Sequence, residues 1–118
     1  MKKYGMAASL AVVLSLVLSG TLVWAGQKVS GAEARSLVEG GATLLDVRTD
    51  REVARGYIDG ALHIPVQVLD ERIDELGNKE DEIVIYCRTG RRSANAARML
   101  RAAGYEKVYD MGAMSNWE

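Results

Sequence analysis

The chain has 118 residues, 15 basic and 16 acidic side chains, a formal net charge of -1, and one cysteine, one histidine and one proline. That balance offers no basic excess for a nucleic-acid partner, and a lone cysteine excludes an internal disulfide. A single histidine without a second histidine or cysteine at ligand spacing excludes a zinc site.

In chain order, Lys2 and Lys3 precede an almost wholly apolar run from Met6 to Trp24, and Val23-Trp24-Ala25 places small residues at a cleavage site. Residues 1–25 therefore read as a signal peptide, with Gly26 as the mature N-terminus. Left uncleaved, the run is close to the roughly 20 residues that span a bilayer and would be a membrane anchor. Either way the folded part is expected outside the cytoplasm, periplasmic or otherwise exported, with no stable membrane association after cleavage. Loss of Lys2 and Lys3 takes the formal charge to -3, because no acid precedes Glu33. Residues 26–118 read as one small domain with a modest core, which fits a monomer.

Val29 opens a short edge strand. Ser30 and Glu33 have the spacing of a capping box, Ala34, Leu37 and Val38 follow at helical spacing, and Gly40-Gly41 stops the helix. Thr43 to Arg48 reads as a buried strand interrupted near its C-terminal end by Asp46 and Arg48. In open α/β sheets ligands bind at that edge, although an ion-paired strand end explains the two residues equally well. Thr49 and Glu52 form a second capping box on a short helix ending by Gly56. Leu62-His63-Ile64 reads as a strand that Pro65 ends. Leu69, Ile73 and Leu76 follow at helical spacing, with Asp70, Glu71, Asp74 and Glu75 on a solvated face.

Ile83-Val84-Ile85-Tyr86 is an apolar run of the kind found in buried parallel strands, and Cys87 follows it directly. Arg88, Thr89, Gly90, Arg91, Arg92 and Ser93 lead into a helix over Ala94–Ala103, with Ala94, Ala97 and Leu100 on one face. The cysteine thus sits between a strand end and a helix N-terminus, beside three arginines. Both features favour the thiolate, which is the nucleophile. Gly90 lets successive N–H groups turn inward as an anion-binding nest. Val108-Tyr109 reads as a short last strand. Strands alternating with short helices over this length define an α/β domain with a mostly parallel sheet.

The segment Cys87 to Ser93 resembles the active-site loop of rhodaneses, sulfurtransferases that carry a persulfide on one cysteine. Leu45-Asp46-Val47-Arg48 resembles the family's Asp-Val-Arg segment, and Glu52 through Pro65 its second signature. Met111 to Trp117 resembles its closing segment, with Gly112-Ala113 where Gly-Gly is usual and Trp117 as a core plug. Tyr57 departs from the pattern, standing where the family often carries histidine. The resemblance spans residues 28–117 and is greatest to single-domain exported sulfurtransferases of the phage-shock type. It implies a small five-stranded sheet flanked by helices, with Asp46 and Arg48 supporting the loop and no metal or organic cofactor.

Loop length separates two chemistries on this scaffold. Related phosphatases and arsenate reductases place an arginine six positions after the cysteine, whereas here that position is Ser93 and Arg92 precedes it. The expected reaction is therefore thiosulfate sulfur transfer through a Cys87 persulfide to cyanide or a thiol. Arg88, Arg91 and the loop N–H groups would draw in the dianion, and Arg92 would either join them or brace the loop against Asp46 or Glu52. A sulfane-sulfur carrier serving a partner protein is the alternative, since it needs the same residues. A thiol sensor would lack a resolving cysteine. His63 could act as a base only if it lay against Cys87.

Overall fold

The computed structural model describes residues 26–118, so the leader or anchor expected over residues 1–25 lies outside them. In chain order the elements are β1 (Gln27–Lys28), α1 (Gly31–Glu39), β2 (Thr43–Asp46), α2 (Asp50–Val53), β3 (Leu62–His63), 3-10 turns at Val66–Glu71 and Ile73–Leu76, β4 (Ile83–Cys87), α3 (Arg91–Ala102), β5 (Val108–Ala113) and a closing 3-10 turn at Met114–Trp117. The five strands form one all-parallel sheet in the order β1-β5-β4-β2-β3, flanked by helices. Parallel strands need crossovers, which helices and turns supply, and both faces of such a sheet are covered.

Every residue of the central strand β4 is buried. Side chains alternate along it, so Ile83, Ile85 and Cys87 enter a cluster with Leu45, Ala97 and Leu100, under α3. Val84 and Tyr86 enter the opposite cluster with Ala34, Leu44 and Met111. Cys87 is thereby aimed at the helix that follows it. Both expected capping boxes are present, with Ser30 and Glu33 bonded reciprocally at α1 and Thr49 and Glu52 at α2.

Strand β1 ends before Val29, where the sequence reading opens the edge strand, and β2 stops at Asp46 rather than Arg48; three further elements differ from that reading. Helix α3 begins at Arg91 rather than Ala94, because Gly90 takes a left-handed conformation (φ 108°) that ends the loop and lets Arg91 to Ser93 form the first turn. Its buried stripe is accordingly Ser93, Ala96, Ala97 and Leu100, with Ala94 only half-buried. The stretch from Leu69 to Leu76 is two 3-10 turns separated at Arg72, not one α-helix. Neither turn has a side-chain cap, and burying Leu69 and Leu76 needs no longer helix.

Finally, β5 continues to Ala113, because β4 reaches Cys87 and its backbone groups need partners. The register slips from Ile85 opposite Asp110 to Tyr86 opposite Gly112, leaving Met111 as a bulge. The closing turn folds back on α1, where a side chain at Gly31 would overlap the Asn116 carbonyl. Arg35 donates to the Trp117 carbonyl and stacks over its ring at 5.9 Å. Trp117 is half-buried against the second cluster.

Candidate active site

Cys87 ends β4 fully buried, and the N–H of Gly90 donates to its Sγ at 2.9 Å. Only Arg88, Thr89 and Gly90 separate the cysteine from α3. The helix has no side-chain N-cap, so no side chain takes up the N–H groups of its first turn. Ser93 is buried, and its hydroxyl donates to the Gly90 carbonyl at 3.0 Å, tying the helix start to the loop. What results is a cradle in which the Gly90 N–H faces one sulfur.

The three arginines divide their work. Arg92 is clamped to Glu52 through two hydrogen bonds, Nη1 to Oε1 at 2.6 Å and Nη2 to Oε2 at 2.8 Å. Arg88, mostly exposed, reaches the same carboxylate with Nε at 3.2 Å from Oε2. Arg91 is exposed and makes no ion pair among the described residues, and Thr89 is exposed as well. The Arg92 guanidinium, outweighing burial and aided by Thr49, holds the Glu52 carboxyl far below the usual carboxylate range. Of the two braces open to Arg92, the structure selects Glu52.

Asp46 and Arg48 are both buried, and they act on a neighbouring segment. Arg48 grips Asp46 with Nη2 at 2.7 Å from Oδ2 and Nε at 3.0 Å from Oδ1, while its own N–H caps Oδ1 at 2.9 Å. From there Nη2 donates to the Gly56 carbonyl at 2.8 Å. Tyr86 completes the network, its hydroxyl donating to Asp46 Oδ2 at 2.6 Å and accepting from the Ile58 N–H at 3.1 Å. Burial first, and then the Asp46 acceptor, push the Tyr86 hydroxyl well above its ordinary pKa. This network fixes the chain on either side of α2, the element that carries Glu52 to the loop. Tyr86 is the part that sequence reading misses, because there it reads as strand filler. Glu52 is one of the two braces expected for Arg92, and the fold decides between them.

Tyr86→Phe is expected to lower stability by about 1–3 kcal/mol, because it leaves the buried Ile58 N–H without an acceptor and removes a donor from Asp46. The denaturation midpoint measures this, and an unchanged midpoint would mean that water replaces the hydroxyl. His63 lies on β3, separated from β4 by β2, with Nε2 at 2.7 Å from the Arg48 carbonyl. It is not against Cys87. Tyr57 is exposed and lines a cleft of about 310 Å³ with His63 and Val53.

A buried cysteine at a strand end, with a loop N–H donating to its sulfur just ahead of a helix, defines a class of protein as well as a site. The Rhodanese-like domain model matches residues 30–118, and the chain belongs to that family. Over 75 residues it is 41% identical to YrkF of Bacillus subtilis, named for a sulfur-carrier role, covering 63% of this chain but only 40% of that protein's length. It is 32% identical over 73 residues to thiosulfate sulfurtransferase PspE of Escherichia coli, covering 61% of this chain and 70% of PspE. Among solved structures, the human single-domain sulfurtransferase TSTD1 superposes with a TM-score of 0.69 at 34% identity, covering 78% of this chain and 95% of that one. Family model and solved structures thus agree with the expected family and its parallel α/β fold.

Proposed function

We propose that the protein is a thiosulfate sulfurtransferase working through a persulfide on Cys87, with cyanide or a thiol as acceptor. The observation that carries this reading is the Gly90 N–H held at 2.9 Å from Sγ in a loop of three residues. So short a loop, closed by the start of α3, makes room for one extra sulfur rather than a tetrahedral oxyanion. The Cys87 thiolate attacks the outer sulfur of thiosulfate. A bond forms between Sγ and that sulfur as the S–S bond of thiosulfate breaks, and its electron pair leaves with sulfite. Loop and helix N–H groups stabilise the negative charge of the resulting persulfide as an oxyanion hole would. Exposed Arg91 and partly engaged Arg88 attract the dianion, and Arg92 holds the loop in shape through Glu52. The acceptor then removes the sulfur, which predicts ping-pong kinetics.

A carrier role for a partner protein is the second reading, favoured by the likeness to YrkF. The two divide on acceptor turnover. Intact mass of the protein is expected to rise by one sulfur (about 32 Da) with thiosulfate and to fall back with cyanide as thiocyanate forms. A gain that cyanide cannot discharge supports the carrier, and no gain at all refutes both. We also propose that residues 1–25 are an export signal, placing a monomeric domain of residues 26–118 in the periplasm or an equivalent exported compartment. The Val23-Trp24-Ala25 site and the apolar run before it support this.

A further inference from the structure

Cys87 is 0% exposed, so whatever reaches its sulfur must pass the rim around it. Two segments make that rim. On one side stand Arg88 and Thr89 of the loop, both exposed. On the other stands the end of β5, where Ala113 is the register partner of Cys87 across the parallel ladder. Register partners in adjacent strands carry their side chains on the same face, with backbones roughly 4.8 Å apart. The Ala113 methyl therefore stands beside the cysteine side chain, on the face that α3 covers. Ala113 is half-buried, at the mouth of the site, while Cys87 is at its floor.

The two sides differ in how far they yield. Arg88 is a long, mostly exposed side chain that can swing on its stem. The β5 side is fixed. Its backbone is paired with β4 through Ala113, and the turn beyond is pinned by Asn116 Nδ2 donating to the Met111 carbonyl at 2.9 Å and by Arg35 donating to the Trp117 carbonyl. The loop already stands against it, since a Cβ at Gly90 would lie 3.7 Å from the Gly112 Cα and 4.0 Å from the Ala113 nitrogen. A methyl on such a backbone cannot move aside. The reaction makes that methyl matter. The outer sulfur of a persulfide stands about 2 Å beyond Sγ, and a nucleophile displaces it in line with the bond that breaks. The attacking atom and its nearest substituents must therefore fit the mouth. A linear ion or a primary thiolate is narrow there, whereas a thiolate on a branched carbon brings methyl groups against Ala113.

We propose that Ala113 determines acceptor width at the Cys87 site, admitting nucleophiles unbranched next to the attacking atom and turning away branched ones. The inference rests on the persulfide reading of Cys87. In the transfer it governs, the acceptor thiolate forms a bond to the outer sulfur while the bond from that sulfur to Sγ breaks. The electron pair stays on Sγ, the acceptor leaves as a persulfide, and no oxidant or reductant is consumed. Glycine at this position would widen the mouth, and valine would fill it.

The test uses the full chain with thiosulfate as donor and reads kcat/KM for the acceptor, which in a ping-pong scheme reports the second half-reaction alone. The acceptors are cyanide, mercaptoethanol, and the same thiol with two methyl groups on the carbon that bears sulfur. Intrinsic reactivity cancels when each variant is compared with the unaltered protein for one acceptor. Ala113→Gly is expected to raise kcat/KM for the branched thiol about ten-fold, as one methyl in a pocket allows. Cyanide and mercaptoethanol should stay within about two-fold. Ala113→Val should lower the branched thiol most and cyanide least. Valine suits a strand, so this variant keeps the proposal testable if glycine loosens the end of β5. Equal changes for cyanide and the branched thiol, or none for the branched thiol, with thiocyanate formation intact, would overturn the role of Ala113 and leave the persulfide reading standing. Absence of thiocyanate from the unaltered protein would overturn both.

Discussion

Cys87→Ala is expected to lower sulfur transfer from thiosulfate to cyanide by at least about a thousand-fold while leaving a folded protein. The proposed nucleophile is the only sulfur in the cradle, and no neighbouring group can substitute for it. His63 is occupied two strands away, and Ser93 Oγ is bonded to the Gly90 carbonyl. The structural cost is small by comparison. Removing one buried sulfur and leaving the Gly90 N–H unpaired should cost about 1–2 kcal/mol, read from the denaturation midpoint. Cys87→Ser separates the two effects, because it restores an acceptor for Gly90 but forms no persulfide. It should be as inactive as alanine yet more stable. Turnover above about a hundredth of the original in either variant would mean that sulfur moves by another route.

Glu52→Gln should bring the second largest change. Glutamine can still accept from Thr49 and keep the capping box, but it cannot hold the charges of Arg92 and Arg88. Both side chains of the Arg92–Glu52 clamp are mostly covered, so freeing the guanidinium lets it fold toward Cys87 and loosens the start of α3. A misplacement worth about 1.4 kcal/mol in the transition state lowers kcat/KM for thiosulfate about ten-fold.

The pH dependence follows from the depressed carboxyl. A carboxylate whose folded pKa lies below its ordinary 4.5 contributes stability that is fully present above that value. This contribution fades progressively as pH falls from there and is lost once pH has fallen through the lower folded value. The clamp should therefore stay charged throughout about pH 5 to 8, and the ten-fold loss in Glu52→Gln should be constant over that range. A loss that shrinks towards pH 5 would show that Glu52 is being protonated there and that the clamp is weaker than its geometry implies.

The sequence by itself determined whatever depends on neighbours in the chain. Alternation of apolar runs and short helices defined a parallel α/β domain, because strand and helix periods are local. The capping boxes at Ser30 and Thr49 were legible for the same reason, as was the placement of Cys87 between a buried strand and a helix N-terminus. Boundaries set by local backbone competition were less legible. Gly90 ends the loop earlier than the apolar pattern implies, and the Leu69–Leu76 stretch settles for 3-10 turns where one helical face needed little burial.

Only the tertiary structure decided which arginine does what. Arg88, Arg91 and Arg92 are chemically alike in the sequence, and their roles diverge because the crossover after β2 brings Glu52 against two of them and leaves the third exposed. The same holds for Tyr86, whose hydroxyl acquires work only when Asp46 and Ile58 arrive from the adjoining strand and loop. Long-range charge pairs leave no periodic trace in a sequence, because they depend on which strands become neighbours.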